Sequence, residues 1–229
     1  MKKLPVSLSL TEKHIGWIYW PLQLFVLPVA LTTIQPYLPV ALSEAQLNFV
    51  FFALNFLGAT AIFFRFLIQS GRVALERPLY TLQSAFFGYG LFWICSVILR
   101  LLTVYFFPDF SNLNNTSILE LAADNYTLTA IGTVLLAPVA EELIYRGLIF
   151  DTLHPRSPFA AFFISTVFFA AIHVVGYITL YDPVDLILCF VQYIPAGLCL
   201  GWAYTRSGSI WAPILAHIAI NQTSILTLR

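Results

Sequence analysis

The chain has 229 residues, of which 59% are hydrophobic and only 10% charged, with a mean hydropathy of +0.84; a soluble domain carries about 25% charged residues. That composition excludes an ordinary soluble globular protein and predicts an all-α, polytopic membrane bundle, since apolar runs of about 20 residues can cross the hydrocarbon core as helices. Lys and Arg number 11 and Asp and Glu 11, so the formal net charge is zero and no basic surface points to nucleic acid.

Seven apolar runs are long enough to span, which predicts one membrane domain over residues 1–229. Residues 1–125 would form the N-terminal spans and an outer loop, and 126–229 the remaining spans. The first run, 15–40, follows a short polar lead with Lys2, Lys3 and Lys13. It is longer than the roughly 7 to 15 residues of a signal-peptide core and is expected to be retained as a span. Pro21, Pro28, Pro36 and Pro39 predict kinks in it, because each removes a backbone donor. The second and third runs cover 45–69 and 80–107. A polar connection over 108–125 follows, in which Ser117 and Glu120 have capping-box spacing and predict a short surface helix. The remaining runs are 126–153, 159–179, 184–204 and 210–226. Cys95, Cys189 and Cys199 sit inside apolar runs at no metal-type spacing and read as small core residues.

Loop charges predict the orientation. Alternate connections hold Lys2, Lys3 and Lys13, then Arg72 and Arg77, then Arg156, then Arg206; the intervening ones hold Glu44, then Asp109, Glu120 and Asp124, then Asp182 and Asp185. The positive-inside rule therefore places the N-terminus in the cytoplasm and the C-terminus, with Arg229, outside. Arg65 can snorkel to the inner face, whereas Arg100 lies deeper in its run and needs a partner.

The fourth run contains LLAPVAEELIYRGLIF, residues 135–150, where two adjacent carboxylates and an arginine interrupt an apolar helix. One charged side chain at the centre of a membrane helix costs roughly 2.5 to 3.5 kcal/mol on insertion scales, so such residues pair or line a polar site. Glu142 and Arg146 are four apart, one helical turn, and are expected to form an ion pair. Glu141 lies about 100° round the helix and is left to face something else. Pro138, just before the carboxylates, predicts a kink that opens backbone groups near them. Two further constellations lie in later runs: Phe169 with His173, and His217 with Asn221, each spaced i, i+4 and so on one helical face. A lone membrane histidine is most often a packing residue bonded to a neighbouring helix. Counted inward at 1.5 Å per residue, Glu141 and His217 fall at similar depth and His173 about 10 Å further out, within reach of helix tilt, and three polar clusters on three helices predict a shared cavity lined by Glu141, His173, His217 and Asn221.

The ordered set EELIYR (141–146), FAAIH (169–173) and HIAIN (217–221) resembles the EExxxR, FxxxH and HxxxN motifs of the CAAX protease and bacteriocin-processing family of intramembrane proteases, also called the Abi family. The likeness covers about 128–226. It implies an endopeptidase in which Glu141 and His173 activate a water, while His217 and Asn221 stabilise the tetrahedral oxyanion. Glu142 and Arg146 would hold the helix, and Phe169 would pack. A buried carboxylate beside an imidazole suits a general base, and fixed donors suit an oxyanion. No cofactor is expected in this reading. The alternative is a zinc protease with Glu141, His173 and His217 as ligands, which would lack an obvious separate base because no HExxH is present. The expected partners are the lipid bilayer and a peptide or membrane-proximal segment, with a multi-pass bacterial cell-membrane location. Two other classes compete: a non-catalytic immunity or regulatory partner of the same fold, and an ion or proton pathway along Glu141, His173 and His217. The motifs carry no information on oligomeric state or on prenylation of the substrate.

Overall fold

The computed structural model describes residues 4–227, so the expectations for Lys2, Lys3 and Arg229 lie outside the described residues. Each expected run contains a helix, although the run 159–179 is α-helical only to Ile172 and then turns through a short 3-10 helix, Val175–Tyr177; no strand occurs among the described residues. The helices are α1 (Leu10–Tyr37), α2 (Glu44–Ile62), α3 (Phe64–Glu76), α4 (Pro78–Phe106), α5 (Leu113–Leu153), α6 (Pro158–Ile172), α7 (Pro183–Ser207) and α8 (Trp211–Thr227). Five of them, α1, α2, α4, α5 and α7, are long and apolar enough to cross a membrane. The chain is thus a multi-pass helical membrane protein. The two other expected spans are shorter, 15 residues in α6 and 17 in α8. At 1.5 Å per residue, 15 residues reach about 22 Å, less than a full hydrocarbon core.

Two expectations are corrected by local backbone chemistry. The run 45–69 is not one span: it breaks at Phe63, whose φ of −99° and ψ of 22° leave the helical region. The pattern changes there. α3 buries Phe66 and Ser70 while exposing Phe64, Arg65, Ile68 and Arg72, so it is an amphipathic helix and not a continuation of an all-apolar one. Its start is capped from a distance. Glu12 closes a capping box with Ser9 at the head of α1, and its second oxygen accepts the Phe66 N–H at 2.9 Å.

The second correction concerns the polar connection. A helix does form there, but Asn112 caps it, accepting the Asn115 N–H at 3.0 Å. Ser117, expected as the cap, instead accepts the Tyr177 hydroxyl at 2.8 Å. At Asn125 the backbone leaves helical geometry (φ −151°, ψ 93°), and the Asn125 side chain caps the next stretch through the Leu128 N–H at 3.1 Å. The long part of α5 therefore begins at Tyr126, as the sequence predicts.

The core gathers around the C-terminal part of α5, where every residue of Leu143–Phe150 is buried. The N-terminal strap joins it: Val6 and Leu8 are buried, Leu8 N–H reaches Asp151 Oδ2 at 3.4 Å, and Pro5 lies against Gly208. Gly208 has φ +71°, the left-handed conformation that ends α7 and turns the chain into α8. The turn leading into α8 is tied to α3, since Ser70 Oγ accepts the Ile210 N–H and Ser209 Oγ donates to the Ser70 carbonyl. In contrast α4 turns Phe86, Phe87, Ile94, Ile98, Leu101 and Leu102 outward, as a lipid-facing helix should. Arg100 is exposed on that same helix instead of lying within the bundle.

Candidate active site

The carboxylates sit on a short α-helical segment, Ala137–Glu142, between two π-helical stretches, Ile131–Leu136 and Leu143–Phe150. Wide turns of this kind re-aim side chains relative to a regular helix and are frequent at functional sites. Pro138 opens the segment.

The expected ion pair is present: Arg146 Nη1 lies 2.8 Å from Glu142 Oε1, and both side chains are fully buried. Arg146 Nη2 also donates to the Gly197 carbonyl on α7 at 3.2 Å, and its guanidinium sits 4.5 Å above the Phe169 ring. The arginine therefore holds α5, α6 and α7 together. Spacing within one helix could not reveal a further link: Glu142 Oε1 is 2.8 Å from His217 Nδ1 on α8. A carboxylate paired to arginine only accepts, so Nδ1 carries a hydrogen and Nε2 is the nitrogen this bond leaves open. That Nε2 lies 3.9 Å from Glu141 Oε2. Glu141 itself makes no hydrogen bond among the described residues, and its Oε2 is buried without a partner.

His173 ends α6, and its Nδ1 is 2.8 Å from the Phe169 carbonyl, which again places the hydrogen on Nδ1 and leaves Nε2 free. The ring is stacked on Tyr193 of α7, with centroids 3.9 Å apart and planes at 17°. Phe169 is the packing residue the sequence predicts, 1% exposed, but it is more central than a spacer. Its ring touches His173 at 4.9 Å and His217 at 5.5 Å between centroids, as well as Arg146. Asn221, one turn beyond His217, donates from Nδ2 to the Thr133 carbonyl of α5 at 2.8 Å.

The structure thus brings Glu141, Glu142 and Arg146 together with His217, and joins His173 to them through Phe169. No direct hydrogen bond links Glu141 to His173 among the described residues. A cavity of about 810 Å³ lies away from these groups, at the other end of α5, between residues such as Leu31, Ser43, Asn48 and Asp124. Three participants were missed by sequence reasoning. Tyr193, Gly197 and Thr133 each contribute through tertiary contact, and only Gly197, one of 11 glycines, carries even a faint compositional signal. Among the described residues no group of three or more His, Cys, Asp or Glu side chains is arranged to hold a metal.

The chain is therefore a multi-pass helical membrane protein with a buried centre of carboxylate, arginine and histidine side chains. Residues 123–223 match the family model described as Type II CAAX prenyl endopeptidase Rce1-like. Over 100 residues the chain is 31% identical to "Putative membrane peptidase YdiL" of Bacillus subtilis (strain 168), covering 43% of this chain and 36% of that protein. The match spans about a third of the length of that curated relative. No solved structure matches. The segment carrying the three motifs is thus similar to the CAAX prenyl endopeptidase family.

Proposed function

We propose that the chain is a membrane-embedded endopeptidase that hydrolyses peptides or membrane-proximal segments of proteins. The observation that carries this reading is the Glu141 carboxylate, buried at Oε2, free of hydrogen bonds, and 3.9 Å from the open Nε2 of His217, within the segment that matches the peptidase family. Glu141 takes a proton from a water whose other contact is His173 Nε2. The hydroxide attacks the peptide carbonyl carbon, and the proton held by Glu141 passes to the leaving amine as the C–N bond breaks. The oxyanion is met by Asn221, which retains a second amide hydrogen, and by His217. Because Nδ1–H of His217 is engaged by Glu142, His217 donates from Nε2 only when that nitrogen is also protonated, and Glu142 is the anion that faces the resulting imidazolium.

Purified protein in liposomes, incubated with a peptide library read by mass spectrometry, tests this reading. New termini are expected with the wild type and none with Glu141→Ala. Binding of peptides without cleavage by the wild type would favour a non-catalytic immunity or regulatory partner instead. Asn221→Ala is expected to cost about 10²- to 10³-fold in kcat, the range for losing one oxyanion donor.

A further inference from the structure

The hydrogen bond between Asn221 and Thr133 has a cause in the backbone of α5. In an α-helix the Ala137 N–H would serve the Thr133 carbonyl, four residues back. Here the π turn sends it to Gly132 instead. The next residue is Pro138, which has no N–H. The carbonyl is thus passed over by both neighbouring positions of its own helix, at a buried residue inside a membrane segment, where unpaired backbone groups are strongly disfavoured. Asn221 Nδ2 fills the vacancy at 2.8 Å.

We propose that Asn221 is a positioning residue whose amide replaces the N–H that Pro138 lacks, and so sets the height at which Glu141 faces His217. The inference rests on the reading of Glu141 as the base. Glu141 lies three residues beyond Pro138, and no hydrogen bond of its own fixes it among the described residues, so the backbone of the wide turn determines where its carboxylate goes. His217 and Asn221 are one turn apart on α8 and grip α5 on either side of Pro138: His217 through Glu142, Asn221 through Thr133. Only one of the two Asn221 amide hydrogens is used in this way. Bracing the turn and donating to an oxyanion are therefore separable roles.

The test is a double-mutant cycle with Pro138→Ala, which restores an N–H beside the Thr133 carbonyl. Using a fluorogenic peptide that the wild type cleaves, kcat and KM are measured for Asn221→Ala in the wild-type background and in the Pro138→Ala background. The expected result is a loss confined to kcat that is smaller in the Pro138→Ala background by more than about twofold, the scatter between independent sites, with the oxyanion contribution remaining in both. An equal fold loss of kcat in both backgrounds would overturn the brace and leave Asn221 as an oxyanion donor alone. A substrate-free measurement stands beside it: infrared difference spectra of protein carrying ¹³C-carbonyl threonine. Asn221→Ala should move one threonine carbonyl band to higher frequency when Pro138 is in place; no movement overturns the proposal even if the Pro138→Ala variant does not fold. If the wild type cleaves no peptide, the protease reading fails, and the infrared result still decides whether Asn221 holds the turn.

Discussion

The lipid-facing helices α1, α2 and α4 and the inner helices α5 and α7 are equally apolar, with mean hydropathy of 1.5 to 1.8 in their most hydrophobic windows. Their surroundings differ sharply. Those windows are 6%, 17% and 11% buried in the first set but 56% and 39% buried in the second. Hydropathy thus finds the spans without saying which face lipid and which face protein. What distinguishes the inner pair is polar: the carboxylates and Arg146 of α5, and the backbone carbonyl of α7 that Arg146 reaches. In a bilayer, apolar surface is satisfied by lipid as well as by protein, so polar contacts and close packing set which helices associate.

The strongest challenge to this contrast is Arg146→Ala. Removing one partner of a buried pair strands the other charge at a cost of about 3 to 5 kcal/mol. We expect little folded protein, read as detergent-solubilised yield and thermal melting, while Arg100→Ala on the exposed side of α4 should melt like the wild type. A normal melt for Arg146→Ala would show that the inner helices do not depend on this pair.

Glycine gives a second comparison at smaller scale. A Cβ on Gly197 in α7 would lie 2.6 Å from Thr166 Cγ2 and 3.0 Å from Thr166 Cα, whereas one on Gly90 in α4 would meet nothing within 4 Å. Gly197→Ala should cost about 1 to 3 kcal/mol by overpacking the crossing of α6 and α7. Gly90→Ala should leave stability unchanged or raise it by up to about 1 kcal/mol, the helix preference of alanine over glycine. Equal melting shifts for the two variants would blur the distinction between inner and lipid-facing helices. Smaller still is the effect of the ring under His173. Tyr193→Ala removes a stacked pair of the kind worth about 0.5 to 1.5 kcal/mol, so kcat should fall by up to about tenfold, while Tyr193→Phe should keep it. A Phe variant as impaired as the Ala variant would assign the effect to the hydroxyl.

Much of this was legible because it is local. The pair Glu142 and Arg146, the start of the long helix at Tyr126 and the ordered motifs all follow from spacing along one helix or from residue types within one run. The break at Phe63 was not legible, since the run reads as apolar through it; what ends the span is the change to an amphipathic pattern together with Glu12, 54 residues away in sequence from Phe66, capping α3. The bond from Glu142 to His217 spans 75 residues, and that from Asn221 to Thr133 spans 88. Neither has a periodicity to betray it. Pro138 announced a disturbed helix, but only the fold shows which carbonyl is left over and which side chain answers it.

The proposed activation of water by Glu141 without a metal is tested directly by one measurement. kcat for peptide cleavage is compared between wild type and Glu141→Gln, each before and after exhaustive treatment with a strong chelator. The amide keeps the shape but cannot take the proton, so the account predicts a wild type unaffected by chelation and a variant slowed by at least about 10²- to 10⁴-fold, the usual contribution of a general base. Loss of wild-type activity on chelation with recovery on adding zinc would move the nucleophile to a metal. Full activity of Glu141→Gln would contradict its assignment as the base, whatever the chelator does.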